Sequence, residues 1–66
     1  MLTRYERELL FIAAMKEGVD EFCKRVGLRE RDFWKLVKTG VGAAEPMVRE
    51  RWHDILKVLD ARGDRK

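Results

Sequence analysis

The sequence predicts an all-α fold of four short helices, and three observations predict it. Apolar residues recur at steps of three and four rather than in alternation, which is the spacing of helix faces and not of strands. Threonine is almost missing, so the β-branched enrichment expected of strands is weak. Glycines at 18, 27 and 40 interrupt otherwise helix-favouring runs at intervals suited to short helices. At 66 residues the chain has room for one domain, expected over 1–62, with the last residues, 63–66, as a disordered tail.

Each helix has its own start and stop signals. "TRYE", residues 3–6, has the form of a capping box, in which the Thr3 hydroxyl and the Glu6 carboxylate satisfy amides at a helix start. The first helix is expected to run to about Glu17 and to stop at Gly18. The second covers Asp20 to Val26 and stops at Gly27. The third runs from Arg29 to Lys38 and stops at Gly40. After the loop "TGVGAAE", Pro46 suits a first helical turn, and the fourth helix continues from there to about Ala61.

The apolar faces differ in clarity. In the fourth helix Val48, Trp52, Ile55 and Leu59 form a single stripe, and His53 falls off it as a solvated residue. The first helix carries seven consecutive apolar residues, "LLFIAAM", which occupy every side. Tyr5, Leu9, Ile12 and Ala13 are assigned to the core, which leaves Phe11 and Met15 pointing elsewhere. Either a small bundle wraps most of this helix, or a homodimer covers it.

Composition excludes several functions. Cys23 is the only cysteine, so no internal disulfide can form, and with His53 it cannot complete a four-ligand zinc site. There is no serine for a Ser-His-Asp triad. Cys23 lies in an apolar helical setting that suits an inert thiol better than a nucleophile. The expectation is a chain that is not an enzyme and needs no cofactor or metal. The apolar run is far short of the roughly 20 residues of a membrane span and lacks the flanks of a signal peptide, so a cytoplasmic location is expected.

The net charge of +3 is unevenly placed. Residues 24–38 hold six basic side chains against two acidic ones, a net +4, while residues 1–23 are net negative. A charge run often means only a solvated face. Concentrated on one short segment, it also suits an anionic partner.

The segment from Val19 to Lys38 resembles the helix-turn-helix of the lambda-repressor-like proteins, the family of Cro, CI and the small antidote proteins. In that motif a small residue, here Cys23, sits four before a glycine, here Gly27, where two helices cross closely. The apolar Leu28 then plugs the turn, and Phe33 and Leu36 bury the next helix. The resemblance implies a third helix that enters the DNA major groove. Arg29 and Glu30 stand where family members place residues that touch bases. A purely structural helical hairpin needs a similar glycine and apolar pattern and is the competing reading.

With Phe33, Leu36 and Val37 inward, Arg31, Lys35 and Lys38 point outward, flanked by Trp34 and Asp32. Arginine can clasp guanine and glutamate can accept from cytosine, whereas adenine is normally read by Asn or Gln, which this chain lacks. Direct readout should therefore lean to G·C pairs. Lys24, Arg25 and Lys38 would hold phosphates. The functional expectation is a sequence-specific double-stranded DNA-binding protein, a small phage- or plasmid-type transcriptional regulator acting as a homodimer. The alternative is a protein–protein interaction module, an adaptor or inhibitor, that uses an exposed Trp34 with Phe11 and Met15 of the first helix.

Overall fold

The computed structural model describes residues 1–63, with side chains described as far as Leu59. The described chain is helical throughout, with five helices: α1 (Arg4–Glu17), α2 (Val19–Val26), α3 (Glu30–Thr39), α4 (Glu45–Glu50) and α5 (Trp52–Gly63). No strand occurs among the described residues. No helix among them is long and apolar enough to cross a membrane. Of the expected tail, Gly63 closes α5, and 64–66 lie outside the described residues.

The first boundary forms as its sequence dictates. The Thr3 hydroxyl accepts the Glu6 amide at 3.1 Å, and a Glu6 carboxylate oxygen accepts the Thr3 amide at 2.8 Å, a complete capping box. Gly18 ends α1 by donating its amide to the Ala14 carbonyl at 2.7 Å, and it opens α2 with no residue between.

Gly27 takes φ 72° and ψ 39°, the left-handed region that a Cβ disfavours. Its amide reaches back to the Lys24 carbonyl and that of Leu28 to the Cys23 carbonyl, which satisfies two of the carbonyls that the end of α2 leaves open. Leu28 is then buried beneath the turn. Gly40 ends α3 at φ 79° for an added reason: a Cβ there would lie 2.8 Å from the Leu2 carbonyl oxygen. The Leu2 amide donates to the Gly40 carbonyl, which fastens the segment before α1 across the end of α3.

Two expectations need correction. The expected fourth helix is two helices, because Arg51, at φ −102° and ψ 19°, breaks it between α4 and α5. Hydrogen bonds still run from the Arg51 amide to Met47 and from the Ile55 amide to Arg51, so helix resumes at once. The periodicity of the sequence carries no mark of the break, since Val48 and Ile55 on either side are both fully buried. The buried face of α1 is also displaced. Leu10, Ala13 and Ala14 are buried, whereas Tyr5 (69% exposed) and Ile12 (42%) face outward and Leu9 is half-buried. An all-apolar run gives periodicity nothing to discriminate. The small side chains of Ala13 and Ala14 let neighbouring helices approach closely, and that selects the face.

The core is built around α1, which packs against α2, α3 and α5. Phe22 of α2 meets Phe33 of α3 edge to face, with ring centroids 5.7 Å apart. Leu2, Leu10, Leu36, Val48 and Ile55 fill the space around this pair. The Phe22–Phe33 contact and the Gly27 turn together set how α3 leaves the body of the protein.

Candidate nucleic-acid interface

The face of α3 away from the core carries Arg31, Lys35 and Lys38, all exposed. Their spacing of four and three residues puts them on one side of the helix, over a length of about 10 Å. Phe33 and Leu36 are fully buried on the opposite side, and Val37 is half-buried and packs against the same core. The faces expected of this helix are therefore the ones observed. Arg29 precedes the first turn at φ −75° and ψ 141°, exposed, and Lys24 is exposed on the last turn of α2. None of these five cations has an ion-pair partner among the described residues.

The start of α3 adds a second feature. Its first intrahelical bond runs from the Phe33 amide to the Arg29 carbonyl, and no side chain caps the amides before it. Such amides carry the positive end of the helix dipole. Glu30 and Asp32 stand in the same turn, where that dipole favours them, and Asp32 is half-buried. Burial pushes the Cys23 thiol up from its ordinary value, and the charges of Glu30 and Asp20 add to the shift. Cys23 is thus a protonated core thiol, as its apolar setting predicts.

Arg25 stands apart from the other basic candidates. Its guanidinium grips both carboxylate oxygens of Glu17 at 2.9–3.1 Å and donates to the Asp54 carbonyl at 3.0 Å. It also lies 5.8 Å from the centre of the Phe22 ring. Arg25 therefore ties α2 to α1 and α5. The sequence placed it among phosphate contacts because its partners lie 8 and 29 residues away, beyond the reach of local spacing.

Trp34 is not the exposed indole the sequence suggested. It is half-buried and packs against the core, with its ring centroid 4.9 Å from that of Phe33 and 6.2 Å from that of Phe11. Phe11, at the edge of α1, extends the hydrophobic contact between α1 and α3, and Met15 remains outward at 48% exposure. Of the three residues assigned to a protein partner, Trp34 and Phe11 pack on each other.

Three arginines act in ways the sequence did not reveal. Arg49 joins Glu45, Glu6 and the Met1 carbonyl, Arg7 donates to the Lys38 carbonyl at the end of α3, and Arg51 donates to the Val26 carbonyl. Only the Glu45–Arg49 pair, four residues apart on one helix, had a local signal. Among the described residues no group of His, Cys, Asp and Glu could hold a metal ion. No family model, curated protein or solved structure matches the chain, so its function is inferred from its own residues.

Proposed function

We propose that the chain binds double-stranded DNA through the outward face of α3, with α2 and α3 working as a helix-turn-helix, and that it serves as a small transcriptional regulator. The observation that carries this reading is the row Arg31, Lys35 and Lys38, exposed on one face of the helix that follows the left-handed Gly27. Unpaired cations on a rigid helix meet phosphates and base edges at little cost in ordering. Arg29, Glu30 and Arg31 would read bases at the helix start, with preference for G·C pairs. Lys24, Lys35 and Lys38 would hold the backbone. Arg25, engaged with Glu17, would contribute less than its position suggests.

Titration of duplex DNA at several salt concentrations tests the proposal. With Lys24, Lys35 and Lys38 meeting phosphates, log affinity falls with log salt at a slope of about −3. A slope near zero, or no binding at low salt, removes this reading. The protein-binding alternative is favoured by a different surface, the outward side of α1, where Tyr5, Ile12 and Met15 are exposed together.

A further inference from the structure

We propose that α1 pairs with α1 of a second copy of this chain, antiparallel, with the two-fold axis passing beside Ile12. This inference stands apart from DNA binding. The helix places Leu10, Ala13 and Ala14 in the core, so at about 100° per residue the opposite side runs between Glu8 and Ile12, and Ile12 is the apolar residue nearest its centre. Ile12 is 42% exposed, although α1 is the helix that packs against α2, α3 and α5.

The residues around Ile12 are arranged symmetrically. Three positions before and after it stand Leu9, half-buried, and Met15, 48% exposed, both apolar. Four positions before and after stand Glu8 and Lys16, both exposed and of opposite charge. Neither has an ion-pair partner among the described residues. In an antiparallel pair related by a two-fold axis, the residue n places before the axis meets the residue n places after it in the other copy. Ile12 therefore meets Ile12, Leu9 meets Met15 on both sides of the axis, and Glu8 meets Lys16 twice. A parallel pairing would instead set Glu8 against Glu8 and Lys16 against Lys16. The stripe is complementary to itself in the antiparallel direction only, which identifies a second copy of the chain as its occupant.

Sedimentation equilibrium over a concentration series tests this with the full chain and two kinds of variant. The expected result is a monomer–dimer equilibrium whose Kd rises about tenfold or more in Ile12→Glu, which sets two like charges at the axis. Glu8→Lys should weaken the dimer by roughly three- to tenfold, because each Lys16 then faces a lysine, and adding Lys16→Glu should restore it. Circular dichroism checks that the helices persist; should Ile12→Glu unfold, the charge variants decide alone. A monomer at high micromolar concentration overturns the proposal. So does a dimer indifferent to Ile12→Glu, or a double charge reversal no tighter than the single one. A monomer that co-sediments with anionic lipid vesicles would assign the stripe to a membrane surface and overturn it equally.

Discussion

Arg51 donates from Nη1 to the carbonyl oxygen of Val26 over 3.2 Å, although the two residues lie 25 positions apart. The bond joins the break between α4 and α5 to the last residue of α2, directly before Gly27. The same Nη1 lies 3.9 Å from where a Cβ on Gly27 would stand. The turn that orients the basic helix is thus braced by the far half of the chain.

Replacing Arg51 with methionine keeps most of the side-chain stem and removes the donor. Arg51→Met should cost about 1–2 kcal/mol, the range for a partly buried bond from a charged group. The same change at exposed Arg29 should cost less than about 0.5 kcal/mol. Urea denaturation compares the two, and equal costs would deny Arg51 a bracing role.

Gly27 and Gly40 share a left-handed backbone but not their surroundings. Gly27→Ala should cost about 1–2 kcal/mol from backbone strain alone, since only the end of a flexible arginine lies near the new methyl group. Gly40→Ala should cost more, because its Cβ would meet the Leu2 carbonyl oxygen at 2.8 Å and the Arg7 Cδ at 3.3 Å. Thermal melts of the two variants give the order, and a less stable Gly27→Ala would reverse the argument.

The Glu6 carboxyl is held below its ordinary value, first by the bond from the Thr3 amide, with burial opposing the shift and Arg49 reinforcing it. A lowered folded pKa means that the stability it contributes is fully present above about pH 4.5, the ordinary value, and is lost as pH falls through the folded one. The melting temperature should therefore decline on acidification below pH 4.5, and less steeply in Glu6→Gln. An unchanged acid slope in that variant would show that the capping box contributes nothing to it.

Arg31 and Trp34 lie three residues apart on α3 and should fail in different ways. Arg31→Ala should weaken a cognate duplex by about 1–3 kcal/mol with the melting temperature unchanged. Trp34→Ala should lower stability by about 1–3 kcal/mol, less than a fully buried aromatic would, and leave the duplex affinity of the folded protein nearly intact. If Arg31→Ala binds duplex as tightly as the parent chain while Trp34→Ala loses a protein partner without unfolding, the DNA reading fails.

Legibility in the sequence followed the range of the interactions. Thr3 and Glu6, Gly18 and Gly27 act within a few residues of themselves, and each stands where its local chemistry placed it. The outward row on α3 was legible for the same reason, because Phe33 and Leu36 define the inner face and a regular helix does the rest. Arg25 has no local signal that sets it apart, because an unpaired cation and one clasped by Glu17 look alike in a one-dimensional string.

The helical class, the capping box, the left-handed Gly27 and the side of α3 on which Arg31, Lys35 and Lys38 stand are all legible in the one-dimensional chain. These depend on backbone sterics and on contacts within one or two helical turns. Long-range packing sets the rest: α1 buries Ala13 and Ala14 and exposes Ile12, Trp34 packs on Phe11, and Arg25, Arg49 and Arg51 tie helices together. In each case several faces or partners were equally acceptable to the local chain. The choice fell to the arrangement that packed the helices most closely and paired their charges across distances no local pattern records.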